Sequence, residues 1–212
     1  MKRLTLFFGH YGSGKTNIAI NYAMYLKTLY DKVAIADIDI VNPYFRTKDS
    51  EAQLTKAGIR VISLPFANTN VDLPALPPEA YSLVQDKTTY AVLDIGGDDR
   101  GAYALGRYAP YILEENNFDA LFVANFYRPL TRIAEEAYEV LLEIEGACGI
   151  KMSGIVNNSN IGELTTESDI LKTDTEAQKL SKIAGIPVVF TCADEKIANE
   201  KFFPLSLQKK PF

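Results

Sequence analysis

The chain has 212 residues, 47% of them hydrophobic and 23% charged, with a formal net charge of −5 and a pI near 5.0. These values suit a single domain over residues 1–212 and argue against the concentrated basic face that a nucleic-acid contact needs. The cysteines, Cys148 and Cys192, are far apart and match no metal spacing, no apolar run approaches membrane-spanning length, and the run after Met1-Lys2-Arg3 is too short for a secretion signal, so a cytoplasmic setting away from membranes is expected.

The first predicted strand, Leu4–Phe8, leads into Gly9-His10-Tyr11-Gly12-Ser13-Gly14-Lys15-Thr16. This is the G-x-x-x-x-G-K-T phosphate-loop pattern. A helical pattern follows, with Ile18, Tyr22, Leu26 and Leu29 on one face. A strand feeding a glycine-rich turn and then a helix aims backbone N–H groups and a helix N-terminus at one spot, which suits a pyrophosphate. Gly9, His10, Tyr11, Gly12, Ser13, Gly14, Lys15, Thr16 and Asn17 are therefore candidate nucleotide contacts. Lys15 would bridge the outer phosphates, and the Thr16 hydroxyl would ligate magnesium.

The second strand, Val33–Ile38, runs into Asp37-Ile38-Asp39-Ile40-Val41-Asn42-Pro43. Carboxylates at i and i+2 point the same way on a strand. Beside a phosphate loop, one could hold a magnesium-bound water and the other could orient the attacking water. Ser50 with Gln53 reads as a capping box, with Gly58 closing that helix. After strand Arg60–Leu64 comes a surface excursion from Pro65 to Pro78 with four prolines.

Strand Tyr90–Ile95 carries Asp94, the expected magnesium partner of a phosphate loop, then Gly96 and Gly97. Gly97 completes D-x-x-G, which lets a backbone N–H approach the γ-phosphate. Arg100 is a candidate internal arginine finger or a partner of Asp98 or Asp99. Strand Ala120–Ala124 follows, then a helix expected to open at Thr131, to face the sheet with Ile133, Ala137, Tyr138 and Leu141, and to end at Gly146. Strand Ser153–Asn157 ends in Asn157-Asn158-Ser159-Asn160. A guanine-selective loop would place Lys and Asp where Asn158 and Asn160 stand, and an amide suits adenine, so ATP is expected over GTP. Thr173 with Glu176 reads as a capping box for a helix burying Leu180, Ile183 and Ala184 and stopping at Gly185. The last strand, Val188–Thr191, enters Cys192-Ala193-Asp194-Glu195-Lys196, which could frame the base or simply turn the chain. The alternation of apolar strands and amphipathic helices predicts an α/β fold, a three-layer αβα sandwich on a mostly parallel sheet.

The phosphate loop, Asp37-x-Asp39-x-x-Asn42-Pro43, Asp94-Ile95-Gly96-Gly97, the Asn157 strand and Ile186-Pro187-Val188-Val189 follow one another as in the MinD/ParA/CobQ-like P-loop ATPases of the SIMIBI class, and the sequence resembles that family over nearly its whole length. The resemblance implies the P-loop NTPase fold, with the Asp94 strand next to the phosphate-loop strand. It implies that Lys15 and Asp39 are catalytic, Asp39 by positioning water. It implies that Thr16, Asp37 and Asp94 hold Mg2+, that Asn157 contacts adenine, and that Thr191 to Glu195, with Cys192 and Asp194, form the base loop. Many members form homodimers around ATP that switch on hydrolysis. Where much of the family has a signature lysine early in the loop, this chain has His10, its single histidine. The expectation is a divergent member in which either His10 becomes cationic beside ATP or the cross-dimer contact is absent, the second being favoured, so that a homodimer stays open. The MinD membrane-targeting helix and the cysteine pair of the nitrogenase iron-protein branch are missing too. The leading expectation is an ATPase switch acting on a protein partner. A small-molecule enzyme of the dethiobiotin synthetase type, or a sensor that binds ATP without turnover, are the alternatives.

Overall fold

The structure is a computed structural model describing residues 1–38, 51–63, 82–83, 85–96, 105–106 and 108–206. Its strands are β1 (Leu4–Phe8), β2 (Val33–Ile38), β3 (Arg60–Ser63), β4 (Tyr90–Ile95), β5 (Phe118–Ala124), β6 (Gly154–Asn157), β7 (Val188–Asp194) and β8 (Phe203–Leu205). Its helices are α1 (Lys15–Leu29), α2 (Glu51–Lys56), α3 (Ala109–Glu115), α4 (Ala134–Cys148), α5 (Glu167–Lys172) and α6 (Asp174–Ala184). The strands form one sheet in the order β3-β2-β4-β1-β5-β6-β7-β8, with every pairing parallel.

β1, β2 and β4 are apolar almost throughout because helices cover both faces, so each of their faces needs hydrophobic side chains. Successive residues alternate between the layers. Phe7, Ile35, Val92 and Val123 pack toward Ile18, Tyr22 and Leu26 of α1 and Leu54 of α2. Phe8, Ala36, Leu93 and Phe122 pack toward Ile112 of α3, Leu141 of α4 and Leu180 of α6. The result is the expected three-layer αβα sandwich. β1 lies between β4 and β5, with Phe7 beside Asp94 and Leu4 beside Phe118, so the phosphate-loop strand neighbours the Asp94 strand.

Several local expectations are corrected. Leu29 is half-exposed and not part of the buried face of α1. α4 starts at Ala134 because the Thr131 hydroxyl donates to Asn125 O (2.8 Å) and caps nothing. Ile133 is exposed, and the helix passes through Gly146 to end at Gly149, whose φ is +70°. Thr173 stands at the N-cap position of α6 as expected but makes no capping box, since its hydroxyl donates to Ile170 O (2.7 Å) and accepts from Asn157 Nδ2 (3.0 Å). Glu176 instead accepts from Ala134 N–H (2.9 Å), capping the neighbouring helix α4. The capping box belongs to Thr166 and Asp169, at the start of α5. Ile183 is exposed, while Gly185 stops α6 as expected. β5 and β7 run longer than their apolar cores predict, and β8, α3 and α5 are additional to the predicted elements. The Pro65–Pro78 excursion and Ser50 lie outside the described residues. No helix among the described residues is long and apolar enough to cross a membrane.

Candidate functional site

A parallel sheet brings the carboxyl ends of its strands to one edge. That edge gathers the residues following β1, the acids of β2 and β4, and the asparagines after β5 and β6. Asp37 and Asp94 are register partners on adjacent strands. By alternation both point to the face covered by α1, the side to which Phe7 and Val92 also point. Both are buried, as are Lys15 and Thr16 at the start of α1.

Two glycines shape the loop between β1 and α1. Gly9 has φ +153°, and a β-carbon there would lie 2.5 Å from Val123 O, so the chain leaves β1 pressed against β5. Gly14 has φ +86° and is the N-cap of α1, where a β-carbon would lie 2.4 Å from Asn158 Nδ2. That amide donates to Ser13 O at 2.7 Å, tying the end of β6 to the loop. The loop closes on itself through Ser13 N–H to His10 O (3.1 Å). The leading amides of a helix have no acceptor within it. In α1 no side chain caps them, and the first turn holds no acidic residue. The positive end of the helix dipole is thus left for an anion. Hard oxygen donors from Thr16, Asp37 and Asp94 are the chemistry that magnesium takes. No group of three or more His, Cys, Asp or Glu side chains among the described residues is placed to hold a metal ion by itself.

The remaining candidates divide. His10 is half-exposed with Nδ1 3.1 Å from Tyr11 O, and the Tyr11 side chain is exposed. Asn17 O accepts from Asn21 Nδ2 at 2.8 Å. Asn157 has no exposed surface. Its Nδ2 donates to Thr173, and its Oδ1 accepts from Ser159 N–H (3.1 Å) and Ser159 Oγ (2.7 Å). The amide expected to meet adenine therefore orders the loop, because both its ends are engaged and neither reaches the surface. Cys192 is likewise buried in the core, where burial pushes its thiol pKa up, so its side chain offers nothing to a base. Asp194 Oδ1 accepts from Lys196 N–H at 2.9 Å, and its strand pairs with β8. Asp39, Gly97 and Arg100 lie outside the described residues.

Two residues at this edge escape a residue-by-residue reading of the sequence. Asn158 stands where a guanine site needs a lysine, yet in the fold its amide anchors the phosphate loop. Arg128 belongs to no recognisable motif, although it follows β5 at the same sheet edge. A signal for it exists in the sequence. The place just past each strand's carboxyl end, which singles out Asp37, Asp94 and Asn157, is occupied after β5 by Asn125 to Arg128.

No protein-family model matches the chain, and no curated protein matches it by sequence. Solved structures with a similar fold include the cell division protein FtsY of Thermotoga maritima, at 15% identity and a TM-score of 0.63, covering 92% of this chain and 63% of that one. The signal recognition particle receptor FtsY of Elizabethkingia anophelis in complex with GDP has 15% identity and a TM-score of 0.56, covering 99% and 61%. The signal recognition particle 54 kDa protein of Aeropyrum pernix in complex with GDP has 16% identity and a TM-score of 0.57, covering 90% and 41%. The chain thus spans less than two thirds of each of these proteins. Its parallel sheet, flanking helices and phosphate-loop connection together have the P-loop NTPase fold.

Proposed function

We propose that this chain is a P-loop nucleotide switch that binds ATP with Mg2+, hydrolyses it slowly, and acts on a protein partner. The observation that carries this reading is the α1 N-terminus. It lies inside a G-x-x-x-x-G-K-T loop without cap or first-turn acid, on the sheet face to which Asp37 and Asp94 point. Lys15 and the loop amides would hold the phosphates, an electrostatic role in which preorganised donors match developing charge. Thr16, Asp37 and Asp94 would hold Mg2+, which when bound neutralises phosphate charge. Asp39 would orient the attacking water and accept its proton. The Asp37-x-Asp39 and Asp94-Ile95-Gly96-Gly97 segments support the MinD/ParA-like form of this switch, in which a second copy of the chain is one partner that nucleotide could recruit.

The base is the finer point. Adenine is favoured because an amide, Asn160, stands where a guanine site needs a carboxylate. Guanine is the second reading, favoured by the two similar structures that hold GDP. Titration with fluorescent ADP and GDP, with and without Mg2+, tests both. The expected result is preferential adenine binding that weakens by at least about tenfold in Lys15→Ala, the scale of one charge-assisted hydrogen bond. Undiminished affinity in Lys15→Ala overturns the proposal, and a guanine preference transfers it to the second reading. For turnover, Asp39→Ala is expected to bind the triphosphate and fail to hydrolyse it.

A further inference from the structure

We infer that Arg128 contacts the polyphosphate of the bound nucleotide, an inference that rests on the nucleotide reading above. Arg128 stands in the turn after β5, the strand beside β1. That turn is fixed from both sides. Arg128 N–H donates to Asn125 O (3.0 Å), and Thr131 N–H donates to Arg128 O (3.3 Å). Tyr127 N–H donates to Asn125 Oδ1 (3.1 Å), and Tyr127 OH donates to Asp169 O (2.8 Å). From this base the side chain runs back over the phosphate loop. Its Cδ and Nε each lie 4.0 Å from where a β-carbon on Gly12 would be, and nothing else comes within that range.

The electrostatics make this placement informative. The N-terminus of α1 is already positive, and Lys15 adds a cation at its first residue. Arg128 brings a further positive group over the same loop, in reach of an anion seated there. Arg128 is solvent-exposed and could lean away, yet it lies over Gly12, and among the described residues no carboxylate or carbonyl bonds its guanidinium. A planar guanidinium fork suits two phosphate oxygens in a way that an ammonium does not. The ligand class is therefore a nucleoside di- or triphosphate, read through its phosphates and not its base.

The test is calorimetric titration of wild type, Arg128→Ala, Arg128→Gln and Arg128→Lys with inorganic pyrophosphate and with the magnesium complex of a non-hydrolysable triphosphate, at low and high salt. Arg128→Ala is expected to bind both probes roughly tenfold more weakly, with Arg128→Lys recovering part of the loss and the salt dependence shallower in Arg128→Ala. Arg128→Gln keeps most of the stem and carries the same test if the alanine variant unfolds. Affinities within about twofold of wild type for both probes, a difference too small for a charge-assisted bond, overturn the assignment of Arg128 alone. A wild-type chain that binds neither probe overturns the nucleotide reading itself, and this inference with it.

Discussion

The contact between Gly14 and Asn158 yields a prediction whose size follows from two distances. In Gly14→Ala the new β-carbon would lie 2.4 Å from Asn158 Nδ2, so Asn158 must swing away and give up its 2.7 Å bond to Ser13 O. Losing a buried hydrogen bond costs about 1–3 kcal/mol. Holding alanine at φ +86° adds about 1–2 kcal/mol. Gly14→Ala should therefore cost roughly 2–5 kcal/mol, against a total stability of about 5–15 kcal/mol for a domain of ordinary size. Asn158→Ala removes the same hydrogen bond without the backbone strain, and should cost about 1–3 kcal/mol. The double variant loses that bond only once. It should cost no more than Gly14→Ala alone, giving a coupling of about 1–3 kcal/mol in the cycle. Urea unfolding of the four proteins without nucleotide measures this. Strictly additive costs would refute the steric link and leave the two residues independent.

Other outcomes follow from side chains away from the loop. Arg3, almost fully buried, donates to Leu83 O (2.9 Å), Asp86 O (3.1 Å) and Thr89 O (2.9 Å) and pairs with Glu115. Arg3→Met should lower stability by about 3–5 kcal/mol, measured by urea unfolding at neutral pH. Burial alone would raise the Glu115 pKa, but hydrogen bonds from Arg3 and Lys87 outweigh it and hold the carboxyl below its ordinary 4.5. A depressed carboxyl stabilises the fold above its unfolded value and loses that contribution as pH falls through the folded one. The unfolding midpoint should therefore fall with acidification below about pH 5, and fall less steeply in Glu115→Gln. Burial also pushes the Cys148 and Cys192 thiols up. A thiol reagent at about pH 8 should label neither until denaturant is added, and rapid labelling of the native chain would contradict their burial.

The strands were legible because a sheet covered on both faces demands apolar side chains at nearly every position, as in Leu4–Phe8 and Val33–Ile38. The phosphate loop was legible because its glycines and Lys15 obey local backbone rules. Helix starts were less so. Thr131 and Thr173 have the residue type of an N-cap, but each spends its hydroxyl on another partner, Asn125 O and Ile170 O. Local patterns cannot reveal such competition. Asn157 shows the same limit at the candidate site. The residue's position beside a phosphate loop was readable, while its engagement by Thr173 and Ser159 depends on residues brought near by folding. Glu176 is a further instance, since the helix it caps begins 42 residues earlier in the chain.

The central place of β1 has a consequence for how the molecule is made. Its sheet neighbours are Ala91 and its companions on one side and Phe118 and its companions on the other. A ribosome would release this apolar segment long before either neighbour exists, so the nascent chain carries an unsatisfied strand through much of its synthesis. Contacts so distant in sequence slow folding and leave early segments open to wrong partners. The loop between β1 and α1 can take shape only after β5 has arrived to receive Gly9.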